Sequence, residues 1–167
     1  MHMKSFKTCN EQVSTPRGVL AAWRNKDAAD YGRALIAQFG PPNEFSSTLL
    51  RWFNIAQFDE VFIKDESVDH DFPAPHKDFV YSVKTFAVPE NLVGAFAHVT
   101  GSILVDGLKQ TVTARCGKLV KNAVTLGFVL DVAAQKADPT KEEYSRRILG
   151  DEIPRWYFDE IGEVKKK

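Results

Sequence analysis

The stretch Ser102-Ile103-Leu104-Val105-Asp106-Gly107-Leu108-Lys109-Gln110-Thr111-Val112-Thr113-Ala114 decides the fold class. Two runs rich in β-branched residues flank Asp106-Gly107, and Asp-Gly between extended runs is a strong short-range hairpin signal because both positions tolerate positive φ. An antiparallel pair over 102–105 and 109–114 is therefore expected. Just downstream, Leu119, Val120, Ala123, Val124, Leu126, Phe128, Val129, Leu130, Val132 and Ala133 crowd 118–136 so densely that it reads as a largely buried helix at the centre of the core. Just upstream, Pro89 opens a short helix over 90–99, which Gly101 closes.

Toward the N-terminus, 79–88 reads as a strand, and 48–53 with 58–64 as a hairpin whose short connection is 54–57. Between them, 65–78 carries five acidic residues, two histidines and two prolines, and reads as a long surface loop. Before the hairpin, Ser14 or Thr15 caps a helix that starts at Pro16 and carries Val19, Leu20, Trp23, Tyr31, Ala34, Leu35 and Phe39 at three- and four-residue steps. Asn25-Lys26-Asp27 divides that helix, and Gly40-Pro41-Pro42 stops it. At the other end, Asp138-Pro139 caps a polar helix over 140–149 that Gly150 stops. Ile153, Trp156, Tyr157, Phe158 and Ile161 then form an apolar tail ending in Lys165-Lys166-Lys167.

This order lacks regular strand–helix alternation, so the fold class is α+β: an antiparallel sheet of about five strands with helices packed mainly on one face. The expected organisation is a flexible N-terminus over 1–13, one domain over 14–150, and an aromatic tail with a Lys-rich end over 151–167. A chain of 167 residues with 44% hydrophobic composition can bury a real core without disulfide or metal. Lys+Arg and Asp+Glu are 22 each, which argues against a nucleic-acid or acidic-membrane binder. No signal-peptide core and no apolar stretch of ~18 residues is visible, so a soluble cytoplasmic protein is expected. Cys9 and Cys116 have no CxxC spacing, and P-loop, GxGxxG and GxSxG signatures are missing.

The densest chemistry is Asp69-His70-Asp71-Phe72-Pro73-Ala74-Pro75-His76-Lys77-Asp78. Imidazole and carboxylate together suit a divalent metal ion, with His70, His76, Asp71 and Asp78 as the candidate ligands and Asp69 beside them. Two prolines lower the entropy lost when a loop is fixed around an ion. The spacing is not the helical HExxH pattern, and the structural alternative is a proline-stiffened solvated loop. A second candidate is Cys116, where a strand meets the buried helix. A thiol at a helix N-terminus beside Arg115 has a lowered pKa, and His98 or His76 is then the candidate base; the alternative is a small buried hydrophobe. Arg51 and Trp52, near Glu44, are candidate pocket residues, as is Arg115. Asn122, with Thr125 on an otherwise apolar helix, either orients a ligand or ties the helix to the sheet.

At Phe39-Gly40-Pro41-Pro42-Asn43-Glu44, Leu50-Arg51-Trp52, His70-Asp71-Phe72-Pro73-Ala74-Pro75-His76-Lys77-Asp78 and Ala114-Arg115-Cys116 the chain resembles a family of small uncharacterised bacterial proteins. The resemblance implies a shared fold and a shared surface around the His-Pro loop, and no reaction. The Gly-x-Pro helix stop before a Trp-bearing hairpin is also similar to small binding domains of outer-membrane assembly lipoproteins. Ranked first is a binding or interaction protein that forms a homo-oligomer or meets a protein partner through its aromatic tail. The alternative is a small metal-dependent hydrolase or lyase using His70 and His76, and a thiol enzyme built on Cys116 ranks third.

Overall fold

Thr15 opens the first helix, its hydroxyl accepting from the Gly18 amide at 3.0 Å while Pro16 takes the first turn. In the computed structural model, which describes residues 15–157, this is α1 (Pro16–Ala22). Asn25 caps α2 (Lys26–Phe39) by accepting from the Ala28 amide, so the expected division falls where an Asx side chain replaces helical hydrogen bonds. Gly40, at φ 81°, ends α2 in a conformation that L side chains avoid, and its carbonyl accepts from the Trp52 indole at 3.0 Å.

The sheet is built from β1 (Glu44–Ser46), β2 (Leu49–Ile55), β3 (Phe58–His70), β4 (His76–Thr85), β5 (Ile103–Asp106) and β6 (Thr111–Cys116). Its order is β1-β2-β3-β4-β6-β5, antiparallel throughout. The helices α3 (Glu90–Val99), α4 (Leu119–Ala133) and α5 (Lys141–Leu149) follow the chain order expected of an α+β domain, and α5 is capped by Thr140, whose hydroxyl accepts from the Glu143 amide at 3.2 Å, rather than by Asp138-Pro139. The register sorts side chains between two faces. One row, Trp52–Val61–Ser82–Ala114–Ile103, is buried from end to end. The parallel row Phe53–Glu60–Val83–Thr113–Leu104 lies on the open face, where Phe53 and Leu104 are 39% and 43% exposed. Burying Trp52, Phe58, Phe96 and Phe128 against the helices is worth about 1.5–3 kcal/mol each.

Three expectations change. The sheet has six strands rather than about five, because Glu44–Ser46 pairs with β2 as a short edge. The expected 65–78 loop is mostly strand: β3 runs to His70, β4 starts at His76, and only 71–75 turn. Acidic composition reported exposed side chains there, whereas the backbone is paired across a hairpin that is bulged between Ile63 and Val68. Finally, the Asp106-Gly107 turn spans 107–110. Asp106 Oδ1 accepts from the amides of Leu108 and Lys109, and the left-handed residue is Gln110 (φ 53°), not Gly107.

The first part of the aromatic tail docks on its own chain. Trp156 meets the Phe58 ring edge-to-face at 5.9 Å, Tyr157 lies 5.7 Å from the same ring, and Pro154 packs so closely on Gly127 that a Cβ there would meet it at 3.0 Å. The expected flexible segment 1–13 and the Lys-rich end lie outside the described residues.

Candidate metal centre

The tip of the β3–β4 hairpin collects the chemistry. His70 and His76 are direct cross-strand partners, so their rings lie side by side with centroids 4.8 Å apart. Asp78 follows His76 by two positions, which sends its side chain the same way. The turn is pinned to α5, since Phe72 stacks on Tyr144 at 6.0 Å and Lys141 lies 5.9 Å from the Phe72 ring.

Asp78 is fully buried. Its Oδ2 accepts from Ser102 Oγ at 3.3 Å, lies 3.3 Å from His70 Nδ1, and lies 3.7 Å from Arg115 Nε. Its Oδ1 is 3.0 Å from His76 Nε2, yet the approach is not aligned as a hydrogen bond, and Oδ1 is left without a donor. The other ring nitrogen fixes the tautomer. His76 Nδ1 is 2.7 Å from the Ala74 carbonyl, which can only accept, so Nδ1 carries a proton. In neutral His76, Nε2 then presents a lone pair to a carboxylate oxygen, and two such atoms repel unless a cation lies between them.

A proton or a metal ion can fill that role. An imidazole held through its second nitrogen by a backbone carbonyl is the usual support of a metal-ligating histidine. One ligand atom from each of His70, His76 and Asp78 can be chosen within 4.8 Å of the others. In a tetrahedral site with bonds of about 2.0–2.1 Å the ligand atoms stand about 3.3 Å apart. Each imidazole stands near that distance from one Asp78 oxygen, His76 Nε2 at 3.0 Å from Oδ1 and His70 Nδ1 at 3.3 Å from Oδ2, while a set with a single Asp78 oxygen spans up to 4.8 Å and would close slightly around an ion. Burial, with lesser contributions from His76 and Arg115, holds His70 below the ordinary histidine range despite Asp78. Burial pushes the Asp78 carboxyl up, against the pull of both histidines, Ser102 and Arg115. Among the described residues no other grouping of three such side chains has this geometry.

A serine–histidine–aspartate relay does not fit. Ser102 Oγ lies 3.0 Å from the same His70 nitrogen that faces Asp78, and Ser102 is only 1% exposed. A relay needs the nucleophile and the orienting acid on opposite ring nitrogens, and it needs an accessible hydroxyl.

The centre is reachable from outside. The His70 and His76 side chains are 19% and 28% exposed. His76 also lines a cavity of about 440 Å³, walled chiefly by Pro73, Pro75, Phe79, Tyr144, Ile148 and Leu149. Tyr144 shares a hydrogen bond with Thr125 and is pushed up to about 12 by burial, so it remains a protonated wall residue.

The other candidates are placed as follows. Asp71 is exposed and Asp69 pairs with Lys77 at 3.7 Å, and neither joins the cluster. Cys116 lines the cavity, but burial pushes its thiol up, opposite to the lowering expected at a helix N-terminus; the Gly117 and Lys118 amides only partly offset this. His98 is exposed in the last turn of α3, with no hydrogen bond or ion pair among the described residues. Trp52 is 1% exposed and is a core residue bonded to Gly40, so it cannot meet a ligand. Arg51 pairs with Glu44 and Glu60 on the open face. Asn122 ties α4 to the sheet, its amide donating to the Val80 carbonyl at 3.1 Å and to Ser82 Oγ at 2.9 Å. Only Arg115, of the four proposed ligand-binding residues, reaches the cluster. Ser102 and Tyr144 were not singled out by sequence, and nothing local marks them. Comparison with models of known protein families, with curated proteins and with solved structures finds no significant match.

Proposed function

We propose that this protein binds one divalent transition-metal ion through His70, His76 and Asp78, and acts as a metal-dependent hydrolase or lyase on a small organic molecule held in the adjoining cavity. The observation that carries the reading is the His76 Nε2–Asp78 Oδ1 approach at 3.0 Å, without hydrogen-bond alignment, beside a backbone-anchored Nδ1. His70, His76 and Asp78 would hold the ion, and with three protein ligands it would leave a position for a water that it would acidify toward neutrality as a nucleophile. The chain's own groups then have separate tasks. Ser102 orients the buried carboxylate, the Ala74 carbonyl fixes the His76 ring, and Arg115, 3.7 Å from Asp78, is at hand for negative charge developing on a substrate.

The test is calorimetric titration of chelator-treated protein with zinc, followed by a screen of ester, amide and elimination substrates with and without the ion. One ion per chain, lost in the His70→Ala/His76→Ala double variant, supports the reading; equal uptake by the double variant removes it.

A second reading rests on the open-face row bearing the exposed Phe53 and Leu104, which suits a protein contact. The Phe53→Ser/Leu104→Ser variant should then lower the mass seen by light scattering, and an unchanged mass removes that contact as a self-association surface.

A further inference from the structure

The cavity beside His76 has a charge pattern as well as a shape. Three lysines, Lys77, Lys118 and Lys121, line it against a single carboxylate, Asp27. Two of the lysines are engaged. Lys121 Nζ is 2.7 Å from Asp151 Oδ1 and donates to the Ile148 carbonyl at 2.6 Å, and Lys77 lies 3.7 Å from Asp69. Lys118 has no ion pair or side-chain hydrogen bond among the described residues. It stands at the start of α4, where its own side chain makes no cap bond and the Leu119 amide donates to the Tyr31 hydroxyl at 2.9 Å, so the partial positive charge of the helix end adds to its own. The remaining wall is apolar, with Phe79, Tyr144, Ile148 and Leu149, and about 440 Å³ falls within the range of small-molecule sites.

From this we infer that the cavity takes an organic carboxylate with an apolar body, its charged end at Lys118 and its body along Phe79, Tyr144 and Ile148, so that the far end meets His76. A neutral or cationic molecule of the same shape leaves Lys118 unpaired and is bound less tightly. A polyanion such as a nucleotide is disfavoured by the apolar walls and by Asp27. That the far end reacts at the His70–His76–Asp78 centre rests on the metal reading; that the carboxylate binds does not. Cys116 lines the same cavity and supplies a built-in reporter, since an occupant should shield its thiol.

The experiment uses the full chain, chelator-treated and zinc-loaded, and measures binding of octanoate, octanol and octylamine by calorimetry. Alkylation of Cys116 is followed in parallel. Octanoate should bind at one per chain in both forms and slow Cys116 alkylation, with octanol about tenfold weaker, as for loss of one charge-assisted contact. Lys118→Met should bring octanoate down to the level of octanol. Leu149→Trp, at a position 61% exposed, should weaken both by filling the mouth. Equal affinity for octanoate and octanol, or no effect of Lys118→Met, would overturn the carboxylate assignment. No binding of any probe would overturn the cavity as a ligand site, while the zinc stoichiometry of the same samples reports separately on the metal centre.

Discussion

Strands β3 and β4 carry two polar clusters that differ in how their charges are met. Toward one end, Arg51 pairs with Glu60 at 2.9 Å and Glu44 at 3.0 Å, and lies 5.6 Å from the centre of the Phe62 ring. Phe62 stacks on Tyr81 at 4.6 Å, and the Tyr81 hydroxyl donates to Glu66 at 2.8 Å. Each charged group there has a partner of opposite charge at the water's edge, although Arg51 Nε, 2.9 Å from Glu60 Oε1, is itself buried without an aligned acceptor. At the hairpin tip, a fully buried carboxylate is crowded by two imidazoles and a guanidinium, and one of its oxygens has no aligned donor. Polar density is similar in the two places. What sets the tip apart is that its misaligned atom belongs to a fully buried carboxylate facing imidazole nitrogens, whereas Arg51 keeps its charge partly in water between two carboxylates.

The strongest way to break this contrast is to remove the mismatch. Asp78→Asn keeps shape and loses charge, so zinc affinity should fall by at least about a hundredfold, beyond what loss of a supporting contact costs. Stability of the metal-free protein should hold or rise, because a buried charge that folding disfavours has been deleted. Zinc titration and thermal unfolding of the same variant read both effects. Retained zinc affinity would contradict the assignment.

Next in size is a buried amide, Asn122, whose nitrogen makes two hydrogen bonds while its Oδ1 has no donor. Asn122→Ala should cost about 1–3 kcal/mol in urea unfolding, because the Val80 carbonyl and Ser82 hydroxyl lose their shared donor, and zinc uptake by the folded protein should not change. At the other cluster, Arg51→Ala should cost under about 1 kcal/mol, since its ion pairs are solvent-screened. A loss several times larger would erase the distinction between the clusters.

The smallest effect belongs to α5, which pins the hairpin tip through Tyr144. Hydrogen bonds from Arg146 and Arg147 hold Glu143 at about 2, against an ordinary 4.5. A lowered folded-state value gives stability that is present above pH 4.5 and is lost as pH falls toward 2. Glu143→Gln should therefore flatten that part of the acid limb by less than about 1 kcal/mol, as expected for a largely solvated pair. An unchanged acid limb would show the pairs to be inert.

Legibility in the sequence followed the same division. Residue types disclosed the chemistry at the tip, so His70, His76 and Asp78 could be named together. Spacing alone could not tell that Asp69 and Asp71 turn away. That depends on strand register, and an acidic segment reads as loop because charge reports side-chain exposure rather than backbone pairing. The buried helix, the order of helices and the Gly40 stop were readable from periodicity and backbone chemistry. Ser102 was not, because a serine after a glycine carries no local signal of a partner 24 positions upstream at Asp78. Cys116 misled for a physical reason: the helix terminus lowers a thiol, but burial at that junction outweighs it.

The central claim is tested most directly by elemental analysis of untagged protein purified without chelator, set beside the His70→Ala/His76→Ala double variant. The account predicts about one transition-metal ion per chain in the parent and none in the variant. A folded parent that carries no ion and takes up none from added zinc would contradict it, leaving a shared proton as the cation between His76 and Asp78.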